Sequence, residues 1–190
     1  MNTSAAPIAL PWGYVATMLL LVLATLSSSW AITNDHSGYY ASIGGGIGLG
    51  DAPIRPGPGW LGAAGIWWGQ YDDAYAIGRF TSLGVTLRQD LPTTGLRTAP
   101  MLEVRRGWDL IVTQVHGFVA GGPVLAPTAR QGTATGATAR AGFGARYRFH
   151  RFWGLSLRLE GGADFIGGGV GATCAALLTL DRSRPFGPVE

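Results

Sequence analysis

At 190 residues the chain has room for one domain and a processed leader. Its 14 basic residues, every one an arginine, face 11 acidic residues for a net charge of +3, and the arginines alternate with apolar residues instead of running together. That pattern excludes a basic nucleic-acid-binding tract, and the single cysteine, Cys174, excludes an intramolecular disulfide.

The first element is a leader. An apolar run over 14–26 is followed by Ser27, Ser28 and Ser29. Small residues at Ser29 and Ala31, one residue apart, match a signal-peptidase site, so residues 1–31 read as a signal peptide cleaved after Ala31. A retained membrane anchor is disfavoured because the run is shorter than the ~20 residues a spanning helix needs. The mature chain is therefore expected to begin at Ile32, and amino-terminal sequencing that found Met1 on membrane-bound protein would refute this.

A short N-terminal segment, 32–38, leads into strand one, 39–50, with Tyr39, Ala41, Ile43, Ile47 and Leu49 on one face and Ser42, Gly44, Gly46 and Gly48 on the other. Three prolines in 51–59 prevent a continuing ladder. Strand two covers 60–68, a tight polar turn is expected over 70–73, and strand three covers 75–88 with Leu83, Val85 and Leu87 opposite Ser82, Thr86 and Arg88. Pro92 and Gly95 mark the next loop. Strand four, 99–106, sets Leu102 and Val104 against Glu103 and Arg105, and a turn is expected over 107–109.

Strand five, 110–120, sets Ile111, Val115 and Val119 against Gln114 and His116, and the Gly, Pro, Thr and Ala of 121–135 read as the longest connection. Strand six lies in 139–152 and has the clearest alternation of all: Ala139, Ala141, Phe143, Ala145, Tyr147 and Phe149 oppose Arg140, Gly142, Gly144, Arg146, Arg148 and His150. Strand seven, 153–161, repeats it with Trp153, Leu155, Leu157 and Leu159 against Ser156, Arg158 and Glu160, so the two form a hairpin. After a Gly-rich bend over 165–169, strand eight, 170–180, aligns Val170, Ala172, Cys174, Ala176, Leu178 and Leu180, and the polar 181–190 reads as a frayed tail. The domain is thus 39–180, an all-β, eight-stranded antiparallel barrel of up-and-down meander connectivity.

Three features set the apolar faces toward lipid. Glycines on the polar faces suit a narrow lumen better than a wetted sheet surface. The polar faces also carry Arg and Glu. Finally, Tyr39, Trp60, Trp68, Tyr75, Trp108, Tyr147, Phe149, Trp153 and Phe165 fall near strand ends, where interfacial girdles form. An arginine facing lipid at the midplane costs ~2–4 kcal/mol, so Arg140, Arg146 and Arg148 are expected to point inward, where they need partners. Glu103 and Glu160 read as the only mid-strand carboxylates of inward parity, the acidic centre of a luminal network with Arg88, Arg105, Arg146 and Arg158.

With its signal peptide, its Gly-rich first strand 39–50 and its alternating strands 141–149 and 153–161, the sequence resembles the small eight-stranded outer-membrane β-barrel proteins, the class of the OmpA transmembrane domain and OmpX. The resemblance covers 39–180 and implies a transmembrane barrel in a Gram-negative cell envelope, with outer-membrane lipid and the barrel-assembly machinery as partners. Such barrels usually close on an aromatic last residue; here strand eight ends at Thr179 and Leu180, and Phe186 is the nearest aromatic.

The function expected is non-enzymatic: a structural, surface-presenting monomer with a plugged lumen. The 121–135 connection has one charge, Arg130, and no aromatic anchor, so it specifies no external partner. One alternative is an acyl hydrolase or transferase acting on lipid A, which requires a nucleophile, a histidine base and a carboxylate close together. His36 precedes the predicted barrel, His150 lies at the short-turn end, and His116 has no serine beside it in sequence. A small pore or ligand-binding barrel is the other alternative, although side chains just fill an eight-stranded interior. No cofactor is implied: the histidines and Cys174 lack metal-ligand spacing, and the run 44–50 lacks the lysine and helix of a phosphate loop.

Overall fold

The protein is described by a computed structural model, which covers residues 36–50, 57–72, 77–91, 95–110, 112–128, 132–166 and 169–185. They belong to one compact unit, Thr33–Glu190, while the leader lies outside the described residues. Eight strands follow in chain order: β1 (His36–Gly50), β2 (Pro58–Asp72), β3 (Ile77–Asp90), β4 (Arg97–Leu110), β5 (Thr113–Thr128), β6 (Gly132–Arg148), β7 (Trp153–Ile166) and β8 (Gly169–Pro185). Each pairs antiparallel with its sequence neighbours, and β1 pairs with β8 to close the barrel. Among the described residues, closure leaves no sheet edge unpaired.

Two-residue periodicity and register together create the two faces. Phe143 lies opposite Leu159, Leu159 opposite Ala176, and Ala176 opposite Ile47, so one outward row crosses four strands. The next row inward runs Gly142, Glu160, Ala175, Gly48. At Gly44 and Gly46 an added Cβ would meet the β8 backbone, so the glycines of β1 permit the close approach that seals the barrel.

The strands outrun their expected ends. The longest expected connection, 121–135, is instead mostly ladder: β5 and β6 pair from Gly121↔Ala139 to Thr128↔Gly132. Val124 and Ala126 are wholly buried inside while Leu125 faces out, an alternation masked by the Pro and Gly around it. Gly132, at φ +73°, supplies the left-handed residue with which β6 begins. The prolines interrupt only locally: the β4–β5 ladder lapses between Thr98↔Leu125 and Leu102↔Gly121, where Pro100 and Pro123 can donate no hydrogen bond.

The expected turns over 70–73 and 107–109 also dissolve into strand, since β2 continues to Asp72 and β4 to Leu110. Phe165, Ile166 and Gly169 belong to strands and not to a bend. Nor is the start of the tail frayed: Asp181 pairs with Ser42 and Pro185 with Gly38. Phe186 and Tyr75 lie outside the described residues. The meander places the termini of the barrel and the connections 73–76, 111–112 and 149–152 at one end, and 51–57, 91–96, 129–131 and 167–168 at the other. Tyr39, Trp68, Trp108, Tyr147, Phe149 and Trp153 gather toward the terminal end, whereas Trp60 and Phe165 belong to the other.

Candidate functional site

The inward face carries charged side chains and two apolar clusters. Toward the loop end, Ala99, Met101, Ala120, Val124, Ala126 and Ile166 pack together. Tyr40, Leu61, Ala63 and Leu177 form a second cluster against β1, β2 and β8. Between and beside them runs a chain of nine charges in strict alternation of sign.

The chain begins at Arg140, whose Nη2 lies 2.7 Å from Asp164 Oδ1; Arg97 Nη2 reaches the same oxygen at 2.7 Å. Arg97 Nη1 then contacts Asp90 Oδ2 at 2.6 Å, and Arg88 Nε donates to Asp90 Oδ1 at 2.9 Å. Arg88 pairs across the lumen with Glu160, whose Oε2 accepts from Arg158 Nε at 2.9 Å. Arg158 Nη1 lies 2.6 Å from Glu103 Oε2, and Glu103 also takes Arg105. Two rings extend it, with Phe118 3.6 Å beneath the Arg158 guanidinium and Tyr40 4.4 Å beneath that of Arg105.

Local sequence explains much of this. Arg88 and Asp90, Glu103 and Arg105, and Arg158 and Glu160 are each two residues apart on one strand, which places both partners on the same face. Neutralisation by a neighbour is what makes burial of these groups tolerable, because an isolated buried charge is costly.

Of the six charges read from sequence, five join this chain: Arg88, Glu103, Arg105, Arg158 and Glu160. Arg146 does not; it sits nearer the terminal end, with its Nε 4.0 Å from Asp181 Oδ2. The expectation that Glu103 and Glu160 are the only mid-strand carboxylates of inward parity needs correction, because the strands run further than expected. Asp90, Asp109, Asp164 and Asp181 are buried as well, and Arg97 and Arg140 complete the chain. Inward parity was the signal for each aspartate, lost because each lies just past an expected strand end.

Beyond Arg105 the lumen opens into a vestibule of about 330 Å³ at the terminal end. Arg148 closes on Asp109 with two bonds of 2.8 and 2.6 Å. The Asp181 carboxylate accepts from the Ser156 hydroxyl and, at 3.1 Å, from Thr179 Oγ1. His116 lines the same space, edge-on to Phe80 at 6.1 Å, with no hydrogen-bond partner at Nδ1. A serine and a carboxylate thus do share a cavity with a histidine, which sequence adjacency concealed. The arrangement is not a relay, because Ser156 donates directly to Asp181.

His36 opens β1 instead of preceding the barrel, and exposed His150 accepts from the Phe152 amide in the β6–β7 turn. Cys174 faces outward on β8. Among the described residues no cluster of His, Cys, Asp or Glu is disposed to hold a metal ion.

No family model and no curated sequence matches the chain. Among solved structures, the N-terminal β-barrel domain of Pseudomonas aeruginosa OprF superimposes with a TM-score of 0.51 at 12% identity, covering 80% of this chain and 100% of that one. The fold is that of the small eight-stranded barrels of the OmpA and OmpX class. The attachment invasion locus protein Ail of Yersinia pestis, in complex with the heparin analogue sucrose octasulfate, aligns at a TM-score of 0.47 and 13% identity, over 78% of this chain and 99% of that one.

Proposed function

We propose that this chain is an outer-membrane barrel that anchors in lipid, presents the connections 51–57, 91–96, 129–131 and 167–168 to the exterior, and performs no chemistry. One observation carries the reading: the molecule is inside out. Phe143 is 76% exposed, Leu49 65% and Ile47 64%, while Arg97 and Glu103 are 1% and 0% exposed. A water-soluble barrel would need the reverse arrangement, because contiguous apolar surface on this scale drives association. Lipid is the solvent that suits such a face.

The same residues support a closed lumen as part of this reading. The nine-membered ion chain ties β3 and β4 to β7, the apolar clusters occupy the space beside it, and an eight-stranded barrel has little room left for a channel. An acyl-transfer enzyme is the weaker reading, since His116 holds no serine and Ser156, one of the serines lining its cavity, is committed to Asp181.

Membrane fractionation with gel electrophoresis tests the proposal. The protein is expected in the outer-membrane fraction and should migrate faster unboiled than boiled, because a closed barrel resists detergent unfolding. Recovery in the soluble fraction, without a heat-dependent shift, would overturn it.

A further inference from the structure

One inward arginine near the terminal end is only loosely paired. Among the described residues, seven inward arginines (Arg88, Arg97, Arg105, Arg140, Arg146, Arg148 and Arg158) form ion pairs with six carboxylates (Asp90, Glu103, Asp109, Glu160, Asp164 and Asp181). Nine of these alternate in the ion chain, and Arg148 is satisfied by Asp109 through two bonds. That leaves Arg146 with Asp181. Both oxygens of Asp181 already accept hydroxyl donors, Arg146 Nε remains 4.0 Å away, and this Nε has no hydrogen-bond partner although Arg146 is only 5% exposed. Its Nη2 finds only backbone carbonyls, Phe152 O at 3.3 Å and Asp181 O at 3.5 Å.

A buried guanidinium with an unused donor, beside an accessible cavity, is a seat for an anion. The vestibule supplies the rest. Its walls include Tyr40, Trp67, Phe80 and Phe152, and at about 330 Å³ it lies at the small end of the ~300–1,000 Å³ range of ligand pockets. We propose that the vestibule binds a small organic carboxylate, an acid group on an apolar or aromatic body, with Arg146 as the ion-pairing partner and the aromatic walls holding the body. Planarity favours the acid group, because the guanidinium fork matches a carboxylate. The site is distinct from the anchoring role and depends only on the barrel interior.

Register offers a sharp test. Gln114, which lines the vestibule, stands directly opposite Arg146 on the neighbouring strand. Gln114→Glu would set a carboxylate directly opposite Arg146, so it should compete with the ligand while keeping every arginine in place. The probe is benzoate, titrated into the purified, folded barrel while the Arg146 Nε–H resonance is followed by nuclear magnetic resonance; benzyl alcohol is the uncharged control. Benzoate is expected to shift the Arg146 signal saturably and benzyl alcohol to leave it unmoved. Gln114→Glu should weaken benzoate at least about ten-fold, as expected when a buried charge pair is altered. Arg146→Gln, followed at the His116 ring, should do the same and serves if the first variant does not fold. No saturable shift in the parent, an equal response to benzyl alcohol, or undiminished binding in a folded variant would each overturn the proposal.

Discussion

Glu160→Ala should be among the most damaging single changes in the lumen. The carboxylate is shared by Arg88, which reaches it from β3 across the barrel, and by Arg158, two residues away on its own strand. Removing it leaves two buried guanidinium groups without their common partner, for which the expected cost is ~3–5 kcal/mol. The cost exceeds that of a surface ion pair because neither arginine can turn to water; Arg88 is 3% and Arg158 4% exposed. Arg88 retains Asp90 and Arg158 retains Glu103, so partial compensation sets the outcome within that range. Glu160→Gln should cost less, since the amide oxygen still accepts a hydrogen bond while its NH₂ group faces a donor. The measurement is the urea midpoint of the barrel folded into detergent or lipid. A midpoint equal to that of the parent would remove the stabilising role assigned to the ion chain.

Leu157→Arg tests the other face. Leu157 is 50% exposed on the outer surface, and its cross-strand neighbours Ala145 and Leu178 point outward too. An arginine there would enter the apolar band away from either girdle, where ~2–4 kcal/mol is the midplane penalty. The variant should insert poorly while its solubility in urea is unchanged. Spin labels sharpen the test. A label on native Cys174, and one on Leu157→Cys in a Cys174→Ala background, should both be relaxed by lipid-soluble oxygen and sheltered from a water-soluble nickel chelate. Protection of position 157 from oxygen would mean that something other than lipid covers this face.

The sequence revealed parity better than extent. Alternation oriented Arg140, Arg146, Arg158 and Glu160 inward and Phe143 and Leu157 outward, because a side chain's face depends only on its place in the two-residue repeat. Strand ends depend on backbone pairing with a neighbour that a single strand does not display. Asp90, Asp109, Asp164 and Asp181 each fall a few residues beyond an expected end, and aspartate is a weak strand former, so each falls outside the expected strands. In the barrel those residues are still paired, and their charge meets arginine. The same error hid Arg97 and shortened the β5–β6 hairpin, whose prolines suggested a break that closure on both sides bridges. Arg146 stands apart from the expected network for a different reason: parity gives the face but not the height along the lumen, and its height puts it beside Asp181.

The cross-lumen ties also constrain the order of events in assembly. Backbone hydrogen bonds join only neighbouring strands, so an uncurled sheet can form almost all of them. Arg88 with Glu160, Arg97 with Asp164, and Arg158 with Glu103 join β3 and β4 to β7, and those strands meet only once the ribbon has rolled up. An open ribbon already immersed in hydrocarbon would carry these charges unmatched, so full immersion before rolling is strongly disfavoured. Rolling first in water would instead display the whole outer apolar band. The route that avoids both penalties advances them together, the charges meeting as the outer face enters lipid and the β1–β8 seam zipping last.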